Sequence, residues 1–216
     1  MSEYDLNIDT APEAKACLIL AHGAGAGMDS EFMQWLSAAL IAHNVTVVRF
    51  NFDYMAKALT EGKRRPPEKA DKLLARFRQV IDAVAEDPVL KSLPLFVGGK
   101  SMGGRMSTLL TASEECPNVR GAVAYGYPFH PVGKPEKLRV EHLETMKRPL
   151  LVIQGERDTF GHKEEVAEYT LSESVQCVFL DDGDHSFKPR KASGLTQSQH
   201  IASAATLTST FIQDLI

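Results

Sequence analysis

The sequence contains only three cysteines among its 216 residues, too few and too scattered for a disulfide framework. Cys17 and Cys177 lie in apolar runs, and Cys116 lies in an expected loop. Long apolar runs are missing as well, since none approaches the roughly 20 residues that a membrane span needs. Residues 1–5 lack the basic and apolar regions of a signal peptide. We therefore expect a cytoplasmic protein with reduced cysteines and no membrane span.

An excess of positive charge is also absent. The formal net charge is −4, which gives no reason to expect a nucleic-acid partner. The seven histidines are scattered, and the metal-binding patterns H-E-x-x-H and C-x-x-C do not occur. We therefore expect neither a metal nor a cofactor.

The chain does contain a regular alternation of apolar runs with amphipathic stretches. The runs typical of strands buried on both faces are 16–21, 45–50, 95–98, 122–125, 150–154 and 175–180. Helical spacing lies between them, at 32–40, 73–84, 138–146, 166–171 and 201–215. This order predicts an α/β fold with a mostly parallel central sheet of about six to seven strands and helices on both faces. Without repeats or long linkers, residues 1–216 are expected to form a single domain with no large lid domain.

Two segments do not fit the alternation. Residues 55–67 include the basic, proline-broken stretch Lys63–Pro67, and residues 127–135 carry three prolines around Phe129 and His130. Both are expected as loops at the carboxyl ends of strands, where such sheets bind ligands. The basic loop is either a solvated surface or an anion-binding rim. Tyr127, Phe129 and His130 either line a substrate pocket or pack within the proline-rich loop.

The pattern G-x-S-x-G stands at Gly99 to Gly103, with Ser101 at its centre. An apolar strand precedes it and a helix follows, which is the context of a nucleophile elbow in a serine hydrolase. Glycines at both ends allow the strand and helix to pack against a tight, strained turn. Ser101 is therefore the candidate nucleophile.

A serine hydroxyl attacks a carbonyl only if a base removes its proton. His185 follows the last strand-like run and is the candidate base. Asp158, just after the strand 150–154, is the candidate carboxylate that orients the imidazole. Asp182, Asp184 and Glu156 are competitors for that role and remain open.

The glycine-rich stretch 22–27 follows the first strong strand. We expect the backbone N–H groups of Ala24 and Met102 to form an oxyanion hole, because small residues let the backbone approach a reacting carbonyl. His22 is expected to hold this loop by hydrogen bonding, with substrate binding as its second possible role. A dinucleotide fingerprint would need glycine or alanine where Met28 stands, and a Walker A motif would need glycine where Pro94 stands, so both nucleotide-binding interpretations are weak.

With these motifs in place, the chain resembles the α/β-hydrolase superfamily. More narrowly, it resembles the small group that includes testis-expressed protein 30 and NSL complex subunit 3, related to dienelactone hydrolases. The matching stretches are 22–25, 99–105, 127–131, 154–158 and 183–187. The resemblance implies an α/β-hydrolase fold and a catalytic triad in the order Ser101, Asp158, His185. Serine replaces the cysteine nucleophile of dienelactone hydrolase.

The leading hypothesis is a serine hydrolase that cleaves a small-molecule carboxylic ester or thioester through an acyl-enzyme. The alternative is a non-catalytic binding or scaffold protein that retained a hydrolase core. A third possibility is acyl transfer to an alcohol or amine on the same triad. The sequence does not predict the oligomeric state.

Overall fold

The apolar runs form the strands of one central sheet in the computed structural model, which describes residues 5–113 and 115–216. The strands are β1 (Leu6–Asp9), β2 (Ala16–Ala21), β3 (Val45–Phe50), β4 (Leu95–Lys100), β5 (Val119–Tyr125), β6 (Leu150–Gly155) and β7 (Val175–Leu180). All six predicted strands are confirmed, and β1 is an addition. The signal-peptide argument rests mainly on residues 1–4, which lie outside the described residues.

The sheet order is β1-β3-β2-β4-β5-β6-β7. Only β1 runs antiparallel to its neighbour β3, and the remaining pairs of the described sheet are parallel. The mostly parallel sheet expected from the sequence is therefore confirmed. β1 was missed because four partly exposed residues give no long apolar run.

The helices are α1 (Glu31–Ile41), α2 (Asp53–Glu61), α3 (Ala70–Glu86), α4 (Met102–Ala112), α5 (Glu141–Glu144), α6 (Lys163–Val166) and α7 (Gln197–Gln213). They cover both faces of the sheet. On one face, Leu18 and Leu20 of β2 pack in a core with α1 and α7. On the other face, Cys17 and Ile19 pack in a core with helices that include α3 and α4. Because successive strand residues point to opposite faces, a strand between two helical layers is apolar throughout.

Three of the predicted segments need correction. Residues 55–67 are not entirely a loop, because residues 53–61 form α2, which buries Tyr54 and Met55. The helix ends at Gly62, whose φ of 64° suits the left-handed terminating position, so the loop begins only there. The prolines lie beyond this end and therefore do not prevent the helix.

The other two corrections shorten helices. The helix predicted at 138–146 is reduced to α5, because the backbone around Arg139 is held by the segment before it: the Arg139 N–H donates to the Phe129 carbonyl, and the Tyr127 hydroxyl donates to the Arg139 carbonyl. The helix predicted at 166–171 is the single turn α6, which ends where the prediction begins. Conversely, α7 begins four residues before Ile201, since Thr196 and Gln199 form a capping box.

This topology gathers four loops at one edge of the sheet. The segments that follow β2, β4, β6 and β7 all leave from carboxyl ends of parallel strands, where ligands bind in such folds. No separate lid domain covers this edge in the described ranges. Among the helices of these ranges, none has the length and apolarity to cross a membrane.

Candidate active site

Ser101 occupies a strained turn between β4 and α4. Its φ of 51° and ψ of −112° are values that non-glycine residues rarely adopt. The flanking glycines are required by packing: a Cβ at Gly99 would lie 2.7 Å from the Ala21 carbonyl oxygen, and one at Gly103 would lie 2.7 Å from that of His22. The turn therefore projects the Ser101 side chain above the sheet edge, close against the end of β2.

His185 lies within hydrogen-bond reach of Ser101. Its Nε2 is 2.9 Å from Ser101 Oγ, and its Nδ1 is 2.8 Å from Asp158 Oδ2. A carboxylate can only accept a hydrogen bond, so the imidazole carries its proton on Nδ1. The Nε2 lone pair then faces the serine hydroxyl, as a general base requires.

Asp158 is fully buried and its carboxylate is held on both oxygens. Besides His185, Oδ2 accepts from Gln154 Nε2 at 2.9 Å, and Oδ1 accepts from the Phe160 N–H at 2.9 Å. Gln154, also fully buried at the end of β6, is itself fixed by the Tyr127 backbone: its Oε1 accepts from the Tyr127 N–H, and its Nε2 donates to the Tyr127 carbonyl. This shell sets the orientation of the carboxylate toward His185.

The three competing acids have other partners. Asp182 binds Arg157 and Arg190, and hydrogen bonding to Arg190 lowers the pKa of its carboxyl. Asp184 accepts from backbone N–H groups two and four residues ahead, which fixes its own turn. Glu156 binds Lys163, which lowers the pKa of that carboxyl. Of the four candidate acids, only Asp158 contacts the imidazole.

Lys100 is a buried residue of the site that sequence reasoning missed. Its Nζ donates to the backbone carbonyl of His185 at 2.5 Å and lies 5.4 Å from the ring centroid of Phe32 and 5.9 Å from that of Phe187. Burial lowers its pKa from 10.5 to about 8, while the charges of Asp158 and Asp184 act in the opposite direction. The lysine thus connects the turn at Ser101 to the loop that carries His185.

The loop after β2 is fixed by His22. The buried ring accepts the Phe52 N–H at Nε2 (3.1 Å), so Nδ1 carries the proton and donates to the Gly23 carbonyl (2.7 Å). Burial lowers the pKa of His22 to about 4. Within the described residues, the N–H groups of Ala24 and Met102 donate to no protein acceptor, and that of Met102 stands at the amino end of α4.

Two cavities meet at Ser101. One, of about 350 Å³, is lined by Phe32, Lys100 and His185. The other, of about 290 Å³, is lined by a different set on the side of α4, which includes Met102, Arg105, Pro128 and Arg139. Ala24 and Phe160 line both cavities. Phe160 also packs on the imidazole, with ring centroids 4.3 Å apart, and it is a second site residue missed from the sequence.

A third cavity, of about 660 Å³, adjoins the site without reaching Ser101. It lies between α2 and the basic stretch 63–67 and touches the site at Ala24. Segment 55–67 therefore borders the candidate site, as expected from its position after β3.

The four suggested substrate-binding side chains do not line either cavity at Ser101. Tyr127 and Phe129 are fully buried, and their rings pack against each other with centroids 4.9 Å apart. His130 is buried as well, with Nε2 2.9 Å from Glu165 and Nδ1 2.8 Å from the Pro131 carbonyl. His22 is enclosed in its loop. In the structure these side chains hold the loops, which agrees with the loop-holding role expected for His22 and with the packing alternative for the other three. Of segment 127–135, only Pro128 lines a cavity at Ser101.

In the described part of the chain, no three His, Cys, Asp or Glu side chains converge as a metal site would need. The residues around Ser101 instead form a chain of proton donors and acceptors beside two unpaired backbone N–H groups. Such an arrangement is chemically suited to removing a proton from a hydroxyl and holding a developing negative charge.

Solved structures share this architecture at low sequence identity. A dienelactone hydrolase from Anabaena variabilis is 20% identical, with a TM-score of 0.72 over 98% of this chain and 91% of its own. Est1E from Butyrivibrio proteoclasticus, solved with ferulic acid bound, is 15% identical, with a TM-score of 0.73 over 98% and 95%. A serine hydrolase without a lid from Xanthomonas campestris is 18% identical, with a TM-score of 0.69 over 98% and 88%. At these identities the likeness establishes the fold.

The family follows from a direct match of the sequence. Residues 14–213 match the model of the alpha/beta hydrolase domain. This range includes every strand after β1 and the helices α1 to α7. The order of the strands and the lidless sheet edge agree with that match. The chain therefore belongs to the alpha/beta hydrolase domain family.

Proposed function

We propose that this protein is a serine hydrolase that cleaves a carboxylic ester or thioester through an acyl-enzyme. The observation that carries the proposal is the hydrogen-bonded sequence Ser101–His185–Asp158, with heavy-atom distances of 2.9 and 2.8 Å. These distances lie in the range that proton transfer needs. The esterase and serine-hydrolase neighbours, and the motif resemblance to the small group that includes testis-expressed protein 30, support the same proposal.

In the first half of the reaction, Ser101 Oγ attacks the acyl carbonyl while His185 Nε2 takes its proton. The resulting imidazolium is stabilised by Asp158, which stays ionised. His185 then returns the proton to the leaving alcohol or thiol as the carbon–oxygen or carbon–sulfur bond breaks. In the second half, water attacks the acyl-enzyme with the same residues in the same roles.

The negative charge on the carbonyl oxygen needs donors that are already in place. We assign this role to the N–H groups of Ala24 and Met102, which flank Ser101. The Met102 N–H adds the positive end of the 11-residue helix α4. One such donor typically lowers the barrier by about 3–4 kcal/mol.

A fluorophosphonate probe tests this proposal directly, because it modifies only an activated serine. We expect a single adduct on Ser101, located by mass spectrometry, and its loss in Ser101→Ala and His185→Ala. Ser101→Ala, whose folding is checked by circular dichroism, is expected to hydrolyse neither phenyl acetate nor an acyl thioester. Retained esterase activity in that variant would sink the assignment.

Absence of an adduct on the folded wild-type protein would instead favour the non-catalytic binding protein. Product analysis with added alcohols or amines separates hydrolysis from acyl transfer. Formation of a new ester or amide at the expense of the free acid would identify the transferase.

A further inference from the structure

Two arginines share the 290 Å³ cavity beside Ser101. Arg105 lies on α4, one helical turn after the serine, and Arg139 lies on the segment before α5. Within the described ranges, neither guanidinium is within 4.0 Å of a carboxylate. The Nε of Arg105 is buried and donates no hydrogen bond there. Buried donors without a protein partner are rare in native proteins, so this group is available to a water or a ligand in the cavity.

Two carboxylates are near these charges without forming an ion pair with either of them. Glu68 lines the same cavity and is 3.8 Å from Lys72 of α3, and Glu141 acts electrostatically on His142 and Tyr127. His142 is near Arg105, but burial and that guanidinium lower the pKa of the imidazole to about 4, so it is neutral near pH 7. Burial and the charge of Arg105 also lower the pKa of Arg139. Two like charges in a half-buried cavity are unfavourable unless an anion joins them.

The position of His185 indicates which part of a substrate enters this cavity. The imidazole must protonate the leaving group, so the leaving group has to lie in the cavity that His185 lines, together with Lys100 and Phe32. The arginine cavity is lined by Ser101 and Met102 but not by His185. It therefore accepts the acyl side of the substrate.

We propose that Arg105 and Arg139 bind an oxyanion at the far end of the substrate's acyl chain. This rests on the proposed function and narrows its substrate class to monoesters or monothioesters whose acyl chain ends in a carboxylate or a phosphate-like group. Both groups match the fork of the guanidinium donors. Hydrolysis of such a monoester consumes one water and yields the free alcohol or thiol, a proton, and an acid that carries a new carboxylate besides its original anionic group.

Three phenyl esters with equal acyl chains test the proposal: phenyl hydrogen adipate, phenyl 5-phosphonopentanoate and the uncharged phenyl 5-carbamoylpentanoate. We expect kcat/KM for at least one anionic ester to exceed that of the carboxamide by about 10- to 100-fold, the range of hydrogen bonds to charged groups. The better of the two anionic esters identifies the group as carboxylate or phosphate-like.

The variants Arg105→Gln and Arg139→Gln are each expected to reduce this anion-to-carboxamide ratio about tenfold or more. Arg64→Gln, which removes an equal charge from the neighbouring 660 Å³ cavity, is expected to leave the ratio unchanged. A wild-type ratio near one, or a ratio unaffected in both cavity variants, would overturn the proposal. An equal loss in Arg64→Gln would do the same, because the anion would then lie at the basic stretch.

Binding without turnover separates this inference from the proposed function. In Ser101→Ala, calorimetry with adipate and with 5-phosphonopentanoate measures anion binding without turnover, and the added substitution Arg105→Gln or Arg139→Gln is expected to weaken binding of the preferred anion about tenfold or more. If wild-type protein forms no fluorophosphonate adduct but binding of either anion depends on both arginines, the hydrolase proposal fails and the anion site stands. If the adduct forms but neither anion binds, the anion site is refuted and the hydrolase proposal stands.

Discussion

Asp158 and His185 are joined by a 2.8 Å hydrogen bond between Oδ2 and Nδ1, at the meeting point of the loops after β6 and β7. Gln154 and the Phe160 N–H hold the same carboxylate at 2.9 Å each. With its oxygens fixed from two further directions, Asp158 has one orientation toward the imidazole. Because this fixed carboxylate accepts a hydrogen bond from Nδ1, the buried contacts of Asp158 determine that the His185 proton lies on Nδ1.

Replacement of Asp158 by Asn tests this relationship. Asparagine has the shape of aspartate, but its amide nitrogen donates a hydrogen bond. A donor facing Nδ1 favours the tautomer with the proton on Nε2, which cannot act as the base, so kcat is expected to fall by about 10⁴-fold. Steady-state kinetics on phenyl acetate measures the effect. Glu156→Gln and Asp182→Asn are matched controls on two competing acids, and each is expected to cost less than about tenfold. A larger loss in either control than in Asp158→Asn would move the role to that residue.

The backbone of Ser101 predicts a difference between two inactive variants. Alanine keeps a Cβ at φ 51° and ψ −112°, whereas glycine adopts this conformation without strain. Relief of strain worth about 1–3 kcal/mol outweighs the larger unfolded-state entropy of glycine, about 0.4–1 kcal/mol. Ser101→Gly is therefore expected to be more stable than Ser101→Ala by about 1 kcal/mol in urea unfolding. Equal midpoints and slopes would show that the turn stores no strain.

Lys100→Met removes the ammonium that donates to the His185 carbonyl but keeps the length of the side chain. Loss of one hydrogen bond from a charged donor is expected to lower kcat about tenfold, since the His185 loop is then less firmly held. Lys100→Arg, which keeps the charge, is the comparison. If methionine and wild type have equal kcat, the lysine does not position the base.

The same variant has a pH signature. The Lys100 pKa falls from 10.5 to about 8 on folding, so the unfolded chain binds more protons than the folded protein between these values. The wild-type free energy of unfolding therefore gains up to about 3 kcal/mol from this group as the pH rises from 8 to 10.5. In Lys100→Met, the free energy of unfolding measured with urea should rise less than in the wild type between pH 8 and 10.5. Parallel pH dependence in the two proteins would contradict it.

His22 predicts a loss of stability in acid. Its pKa is about 4 in the folded protein, against an ordinary value of 6.5, so only the unfolded chain takes up the proton between these values. The contribution is complete above pH 6.5 and falls by up to about 3 kcal/mol as the pH drops toward 4. His22→Gln, which cannot titrate, should show a shallower decline in unfolding free energy over this range. An unchanged slope would mean that His22 is not buried in its neutral form.

The core strands and the G-x-S-x-G turn were predictable because each depends on local pattern. Apolar runs identify strands buried on both faces, and glycines at positions 99 and 103 are needed where backbones touch. α2 was not predictable in the same way, since the basic stretch and the prolines after Gly62 mask a helix that ends just before them. The short α5 depends on contacts between Arg139 and Phe129, which no local pattern shows.

The candidate site likewise contains residues that the sequence indicates and residues that only the tertiary contacts reveal. The sequence order of Ser101, Asp158 and His185 suggested the three residues, but three nearby acids remained competitors of Asp158 because no local pattern shows which carboxylate contacts the imidazole. Lys100 was missed because a lysine in a motif's variable position gives no sign that it is buried. Phe160 was missed because its contact with the His185 ring joins two loops that are distant in the sequence. Conversely, the aromatic residues of segment 127–135 attracted attention through composition, although they face the core.

Ala24 lies at the one position common to all three cavities of this edge. For protein engineering, this means that a larger side chain at position 24 would narrow all three cavities at once: the 290 Å³ cavity of the two arginines, the 350 Å³ cavity lined by His185 and the 660 Å³ cavity at the basic stretch. Libraries that aim to change one cavity alone should keep this alanine and vary residues that line a single wall, such as Leu59, Phe32 or Met106.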